Sequence, residues 1–185
     1  TTTTTDYCGN VVYENGVQKL LLTEEGYITL SDSKYHYYLK DHQGNNRVVI
    51  SQSGTVEETS HYYPFGGVFA SAGNVQPYKY NGKELDSKKG LNWYDYGARH
   101  YDAALGRFTT NDRFAEKYYS MSPYQYGANS PVNNIDVNGD TIVVNPNPNG
   151  LIDNVRIFFG FDTKYQKDVK ADLPFSPRVL SNTCT

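Results

Sequence analysis

The chain has 185 residues, of which 17 are basic and 20 acidic, giving a formal net charge of −3 at neutral pH. This length suits one domain that buries about 70% of the surface exposed by its unfolded chain. The acidic balance argues against a nucleic-acid platform, and no apolar run approaches the roughly 20 residues that span a bilayer. Aliphatic residues are sparse, but there are 18 tyrosines. We therefore expect tyrosine to supply much of the buried surface.

Residues 7–69 have the pattern of short strands separated by turns. Asn15-Gly16 lies between two apolar runs, which is typical of a two-residue β-hairpin, and Asn138-Gly139 predicts a second hairpin over 135–144. Glycines punctuate the first segment at intervals typical of meanders, sandwiches, barrels and open shells. We predict a mainly β fold, built as an array of short antiparallel hairpins.

One or two short helices are predicted near 112–130. The first is expected to begin at Asp112, which suits a helix N-cap. The second is expected to begin at Ser122, because Ser122, Pro123 and Gln125 have the order of an N-cap, a first-turn proline and a capping-box partner. The sequence NPNPNG then reads as a linker, so the residues from 141 onward are treated as a separate segment.

Tyrosines recur two residues apart at four places: Tyr35/Tyr37, Tyr78/Tyr80, Tyr94/Tyr96 and Tyr124/Tyr126. In a strand, residues two apart share one face of the sheet. Two interpretations follow. The rings pack across strands in place of aliphatic side chains, which is the interpretation we favour, or they form a surface platform that binds glycans.

Histidine and cysteine spacing indicates neither a metal site nor a cofactor site. No histidine lies four residues from another, no cysteine lies near one, and no phosphate loop or nucleophile elbow is present. Cys8 and Cys184 are either two unrelated thiols or one long-range disulfide. The four histidines are His36, His42, His61 and His100.

Charged residues suggest structural roles. The pairs Glu24-Glu25 and Glu57-Glu58 flank predicted turns and are expected to face solvent. Asp95 and Asp102 bracket Arg99, a pattern that favours a buried Arg–Asp network holding strands together over a catalytic pair.

Three blocks of sequence resemble the core region of bacterial Rhs (YD-repeat) proteins. They are YHYYLKDHQGNNRVV (35–49), HYYPFGG (61–67) and the long block 78–139. Within the last block, NGKELD, GLNWYDYGARHYD, LGRF, SPYQYGANSPVN and IDVNG each match a family element. Residues 1–16 resemble the preceding YD repeat more weakly. The resemblance divides the chain into the end of a YD-repeat region (1–34), an Rhs-associated core (35–140) and a variable C-terminal tail (141–185).

The resemblance implies a curved, hollow shell that the core region caps at one end. It implies upstream YD repeats and the chain's own C-terminal effector segment as partners, with secretion machinery or a target-cell surface as further partners. It also implies a secreted or cell-surface location. We expect no nucleic-acid partner, no cofactor and no transmembrane segment. Because the chain begins TTTTTDY without methionine, we expect it to be a piece of a longer protein.

In several family members the core cuts itself just after a D-P-x-G motif by means of aspartates. Here Asp136-Val137-Asn138-Gly139 holds that position, with valine in place of proline, and Asp140 stands where an apolar residue is usual. A second aspartate maps onto Asp112, in the sequence DRFA, which also lacks the proline and the glycine. Aspartyl hydrolysis needs two carboxylates around one water. We favour structural roles, in which Asp136 opens a turn and Asp112 caps a helix.

The leading hypothesis is a structural shell segment that encloses and presents a C-terminal effector. One alternative is an aspartic self-protease that cuts once near residue 140, with Asp136 and Asp112 as its catalytic residues. A toxin in 141–185 is another, although this tail is short for an enzyme and lacks histidine. The last alternative is a glycan-binding module that uses the tyrosine pairs.

Overall fold

The computed structural model describes residues 3–144, which fold almost entirely as short β-strands. The strands are β1 (Thr5–Cys8), β2 (Val11–Glu14), β3 (Val17–Thr23), β4 (Gly26–Thr29), β5 (Lys34–Lys40), β6 (Asn46–Ser51), β7 (Val56–Tyr62), β8 (Val68–Ala72), β9 (Glu84–Asp86), β10 (Trp93–Asp95), β11 (His100–Asp102), β12 (Arg107–Phe108), β13 (Asn134–Asp136) and β14 (Ile142–Val144). Helical structure over residues 3–144 is limited to single 3-10 turns, so none of it could cross a bilayer. The prediction of a mainly β fold made of antiparallel hairpins is confirmed.

The chain divides into two compact units, and the first contains the described residues up to Tyr38 together with Val49–Val56. Its strands β1 to β5 pair in sequence order, each antiparallel to the next. Asn15 and Gly16 form the turn between β2 and β3 with φ of 52° and 77°, the left-handed conformation that such tight hairpins require. The hairpin predicted at these two residues is therefore confirmed. A small apolar core fills this unit: Val12, Leu20, Tyr27 and Val49.

The second unit contains Leu39–Val48 and the described residues from Glu57 onward, and its core is aromatic. Strands β12, β11, β10 and β9 form an antiparallel sheet in that order, while β7 pairs with β8 and β13 with β14. The rings in the core contact one another with centroids 4.4–6.5 Å apart, mostly in tilted and edge-on arrangements that aromatic quadrupoles favour. The core residues are Tyr62, Tyr80, Tyr94, Tyr96, Tyr101, Phe108 and Tyr126.

The paired tyrosines occupy two kinds of environment. Tyr80, Tyr94, Tyr96 and Tyr126 are all at most 2% exposed, as the packing interpretation requires, whereas Tyr124, the other member of the pair with Tyr126, is 37% exposed. The pair on β5 is different, since Tyr35 and Tyr37 remain 47% and 45% exposed. The glycan interpretation stays a prediction for these exposed rings.

The turn at 64–66 accepts three hydroxyl groups from the aromatic core. Three successive carbonyl oxygens bind the hydroxyls of Tyr80, Tyr101 and Tyr94, at 2.8, 2.8 and 3.0 Å respectively. Gly66 has φ +87°, and a Cβ atom there would lie 2.6 Å from the ring of Tyr80. The HYYPFGG block therefore provides the polar groups that let tyrosine hydroxyls be buried.

A network of side-chain amides connects the DHQGNN segment to the NGKELD segment. Asn81 donates from Nδ2 to the carbonyl of Gln43 at 3.0 Å, and its amide donates to Oδ1 of Asn45 at 2.8 Å. The hydroxyls of Tyr96 and Tyr126 both donate to Oδ1 of Asn81, at 2.7 and 2.6 Å. Buried polar groups are costly unless they are hydrogen-bonded, and these bonds satisfy the side-chain amide of Asn81 and both hydroxyls. Two blocks far apart in the sequence are thereby fixed to one aromatic core.

The helical structure predicted near 112–130 consists of two single 3-10 turns, Ala115–Lys117 and Gly127–Asn129. The helix predicted to begin at Ser122 is wrong. Gln125 forms an isolated antiparallel bridge with Arg107, and its Oε1 accepts from the amide of Ala128 at 2.6 Å instead of reaching back to Ser122. Pairing with a strand thus overrides the local capping signal.

Glu58 corrects the prediction that Glu57-Glu58 faces solvent. Its side chain is 2% exposed and forms a buried ion pair with Lys79. Its other hydrogen bonds come from the amide of Val75 at 2.9 Å, the hydroxyl of Ser60 at 3.2 Å and Nε2 of Gln76 at 3.4 Å. Strand alternation places Glu58 on the inner face of β7, where this counter-charge is available.

Several predictions fall outside the described residues. These include the linker at 145–150, any activity of the tail, and the pairing state of Cys184. The boundaries proposed between repeat, core and tail likewise stay predictions.

Candidate functional site

The β13–β14 hairpin carries the turn 136–140, which contains Asp136, one of the two candidate aspartates. Asp136 ends β13, and its Oδ1 accepts a hydrogen bond from the amide of Gly139 at 2.6 Å. Gly139 has φ +82°, and a Cβ atom there would lie 3.0 Å from the amide nitrogen of Arg99. Only glycine fits this approach without strain. The hairpin predicted at Asn138-Gly139 is confirmed, and Asp136 has the turn-forming contact predicted for it.

Three successive carbonyl groups of this turn, at 137–139, accept hydrogen bonds from elsewhere in the same unit. Lys83 Nζ donates to the carbonyl at 137 at 2.5 Å, and the amide of Ala98 donates to the carbonyl at 138 at 3.1 Å. Arg99 Nε donates to the carbonyl at 139. The backbone of the turn is therefore bonded, up to Gly139, to the segment 83–99 of the same unit.

The guanidinium of Arg99 joins the two candidate aspartates. Its Nη2 donates to Oδ2 of Asp112 at 2.9 Å and lies 3.6 Å from Oδ2 of Asp136, so the two oxygens are at most 6.5 Å apart. Nη1 donates to the carbonyl of Pro123 at 3.1 Å, and Cζ lies 3.8 Å from the centroid of the Phe108 ring. The side chains of Arg99 and both aspartates are at most 4% exposed. The structure therefore brings the two predicted aspartates together around one buried cation.

Burial raises the pKa of Asp136 from its ordinary 3.8 to about 6. The charge of Arg99 and the Gly139 amide oppose this increase, while the negative charge of Asp112 adds to it. Oδ2 of Asp136 accepts no hydrogen bond from the residues that the structure describes. Asp136 consequently keeps its proton to a higher pH than an exposed aspartate does.

Asp112 is the more firmly paired carboxylate. Besides its bond to Arg99, its Oδ1 accepts from the amide of Phe114 at 2.7 Å. This contact closes a turn that precedes the 3-10 turn Ala115–Lys117, whose N-cap position is occupied by Phe114 without a side-chain capping bond. The prediction that Asp112 caps a helix is therefore wrong, since its side chain closes a local turn instead.

Neighbouring titratable groups respond to the same burial. Burial lowers the pKa of Lys83, although Asp136 and Asp95 favour its charged form. Burial also raises the pKa of Tyr118, and the charges of Asp112 and Asp136 add to that increase. The site thus combines low solvent access with a concentration of charge.

Asp140 is the last residue of this turn and is buried, at 3% exposure. Nη2 of Arg113 lies 2.5 Å from its Oδ2, whereas the side chain of Arg113 is 66% exposed. Neither carboxylate oxygen of Asp140 accepts a hydrogen bond of good geometry from the described residues.

The predicted Arg–Asp network exists, but its partners were predicted wrongly. Arg99 pairs with Asp112 and Asp136. Of the two flanking aspartates, Asp95 accepts from the amide of Gly97 at 2.7 Å, and Asp102 accepts from the amides of the turn that follows it. Both carboxylates are used by local backbone amides, so the guanidinium extends to more distant loops.

Chemically, the arrangement offers a polarised carbonyl beside two carboxyl groups. Arg99 Nε binds the carbonyl oxygen of Gly139, and burial raises the pKa of Asp136, one of the two carboxyls, to about 6. No group of three His, Cys, Asp or Glu side chains among residues 3–144 is arranged to hold a metal ion. Sequence reasoning missed Lys83 and Arg113, because neither forms a local pattern with its partner.

An open groove of about 650 Å³ lies elsewhere in the second unit. Asp112 and Asp136 do not line it. Its walls mix aromatic, apolar and polar side chains, including Tyr63, Phe65, Leu105, Arg107 and Tyr124.

No protein-family model matches this sequence. The chain is 40% identical over 116 residues to salivary gland surface protein 1 of Aedes aegypti. That alignment covers 60% of this chain but only 3% of the mosquito protein.

Solved structures with a similar fold contain the Tc toxin component TccC3. TcdB2–TccC3 without its hypervariable C-terminal region matches with a TM-score of 0.61 at 20% identity, over 74% of this chain. The Tc holotoxin pore of Photorhabdus luminescens, with an aspartate-to-alanine substitution in TccC3, matches with a TM-score of 0.62 at 19% identity, over 86% of this chain. This chain spans 8% of either matched chain. At these identities the likeness shows a shared sheet-rich fold.

Proposed function

We propose that this chain is a core segment of an Rhs-type toxin shell, a scaffold that carries and presents a C-terminal effector. The observation that carries the proposal is the turn at 136–140, whose backbone is fixed by Lys83, Ala98 and Arg99 at the point where the resemblance to the Rhs core ends. The sheet-rich fold shared with TccC3-containing chains supports it. Residues 141–185 correspond in this proposal to the hypervariable C-terminal region named for one of those structures.

The proposal also assigns partners and a location. Upstream YD repeats continue the shell, and the effector segment lies on its inner side. Secretion machinery or a target-cell surface is the external partner, and the protein is secreted or displayed on the cell surface. Function as a scaffold agrees with a core in which tyrosine hydroxyls and side-chain amides bind backbone carbonyls.

Limited trypsin digestion of the full chain tests the division into scaffold and carried segment. We expect cleavage at Arg156 and Lys164 roughly tenfold faster than cleavage within 3–144, because a packed core must open before a protease can cut it. The expected product is a resistant fragment that ends at Arg156, because no lysine or arginine lies between Lys117 and Arg156. Equal rates in both regions would contradict the proposal.

A second function, single-turnover self-cleavage between Gly139 and Asp140, is favoured by the geometry around Arg99. In the proposed reaction, water adds to the carbonyl carbon of Gly139 and gives a proton to the carboxylate of Asp112. Arg99 Nε stabilises the negative charge on the carbonyl oxygen. Protonated Asp136 then gives its proton to the nitrogen of Asp140 as the peptide bond breaks.

The intact mass of the purified chain over time tests this reaction. We expect one cut after Gly139 that is faster below about pH 6, where Asp136 carries its proton. Asp136→Asn and Asp112→Asn should remain uncut, whereas the control Asp95→Asn, whose carboxylate caps a nearby turn, should cut normally. If the wild-type chain remains uncut at every pH, self-cleavage is wrong and the scaffold function is the one that stands.

A further inference from the structure

Arg113 and Asp140 form an ion pair that the proposed reaction does not use. Asp140 is the residue just after the proposed cleavage point, and it is buried with Nη2 of Arg113 2.5 Å from its Oδ2. A carboxylate buried without a counter-charge is strongly unfavourable, so the position of Asp140 depends on this cation.

The pair is placed to control one peptide bond from both sides. Asp112 precedes Arg113 in the sequence and binds Arg99, whose Nε holds the carbonyl of Gly139. Arg113 holds the side chain of the next residue, Asp140. A single dipeptide, 112–113, is therefore connected to both residues that flank the Gly139–Asp140 bond.

The two partners also lie at positions where this sequence departs from the resemblance noted above. Asp140 stands where an apolar residue is usual, and Arg113 lies in the sequence DRFA, which lacks the expected proline. The two departures contact each other. This contact gives the acidic residue a counter-charge that an apolar residue would not need.

We infer that Arg113 is a positioning and specificity-determining residue that selects an acidic side chain at position 140 and holds the Gly139–Asp140 peptide in register with Arg99. The link to cleavage rests on the proposed self-cleaving function, whereas the selection of an acidic residue does not. Arg113 acts through Asp140 and contacts none of the reacting atoms.

Amide hydrogen exchange over 136–144 tests the selection directly, on the full chain. The four proteins are the wild type, Arg113→Leu, Asp140→Leu and the variant with both changes. With Arg113 present, Asp140→Leu should raise exchange about tenfold. With Arg113→Leu, the same Asp140→Leu change should lower it. A general loss of stability would not reverse the order, so the reversal is the signature of selection.

Two controls sharpen the measurement. Arg113→Lys retains the charge and should keep most of the protection. Lys34→Gln breaks a separate exposed ion pair, Lys34–Asp32 at 2.8 Å, and should leave exchange over 136–144 unchanged. If Asp140→Leu has the same effect in both backgrounds, the inference is wrong.

The intact mass of the same four proteins separates this inference from the proposed cleavage. Where the wild type cuts itself, Arg113→Leu should slow the cut about tenfold, and adding Asp140→Leu should restore it. A wild type that remains uncut while the exchange order reverses would remove self-cleavage and keep the selection by Arg113. If neither substitution changes the rate of self-cleavage, Arg113 has no role in cleavage.

Discussion

At the residue scale, the environment of Asp136 makes stability depend on pH in an unusual direction. Burial raises its pKa to about 6, above the 3.8 of an exposed carboxyl group. Between these values the folded protein binds this proton more tightly than the unfolded chain does. Its contribution to the free energy of unfolding is therefore complete below about pH 4 and decreases by about 3 kcal/mol as pH rises through 6.

Asp136→Asn should remove this pH dependence. Urea denaturation of the wild type and the variant between pH 4 and 7 should show the difference between them changing by about 3 kcal/mol, concentrated around pH 4–6. Asp32→Asn is the control. Its hydrogen bond to Lys34 lowers the pKa of Asp32 to about 2, so its stabilising contribution is lost only below pH 4. A difference that stays constant with pH for Asp136→Asn would show that this carboxyl is not the titrating group.

At the element scale, the turn at 64–66 packs closely against the aromatic core, where Gly66 contacts the ring of Tyr80. Gly66→Ala should destabilise the protein for two reasons. Alanine is strained at the positive φ of +87°, and its Cβ would lie 2.6 Å from the Tyr80 ring. We expect a total loss of about 3 kcal/mol. Urea denaturation followed by the fluorescence of Trp93, the single tryptophan, measures it.

Gly44→Ala separates the two contributions to the Gly66 effect. Gly44 lies in the same unit with a similar φ of +77°, but no atom of the described residues would lie within 4 Å of a Cβ added there. We expect a loss of about 1 kcal/mol, due to the backbone alone. Equal losses at Gly44 and Gly66 would mean that the contact with Tyr80 contributes nothing.

Some local elements could be predicted from the sequence and others could not. The Asn15-Gly16 hairpin was predictable because two residues fix its turn. The hairpin at Asn138-Gly139 was predictable in position, but its connection is a longer loop between Asp136 and Ile142 in which Gly139 has the positive φ. The helix start at Ser122 failed, since its capping signal competes with a bridge between Gln125 and Arg107 that no local pattern encodes.

The candidate site divides in the same way. The resemblance pointed to Asp112 and Asp136, but no local signal indicated that Arg99 would bind an aspartate 13 residues away. The pairing of Arg113 with Asp140 was equally hidden. Partners that meet only through tertiary structure are the part that periodicity and turn chemistry do not reveal.

At the scale of the whole molecule, the second unit depends on tyrosines that stay protonated. Burial raises the pKa of Tyr80 to about 12 and moves those of Tyr62, Tyr94 and Tyr101 further upward. In the unfolded chain these groups titrate near 10. The stability they provide is therefore complete below pH 10 and is lost as pH rises above it.

We therefore expect cooperative alkaline unfolding, because each buried hydroxyl that ionises on unfolding shifts the equilibrium further. Absorbance at 295 nm, which follows tyrosine ionisation, should rise steeply at the same pH at which the near-ultraviolet circular dichroism of the packed rings disappears. Tyr119→Phe is the matched control, since Tyr119 is 90% exposed and its loss should leave the midpoint unchanged. Tyr101→Phe removes a completely buried hydroxyl that donates to the Phe65 carbonyl, and it should make the transition less steep. If all the tyrosines ionise while the dichroism persists, the hydroxyls do not hold this core together.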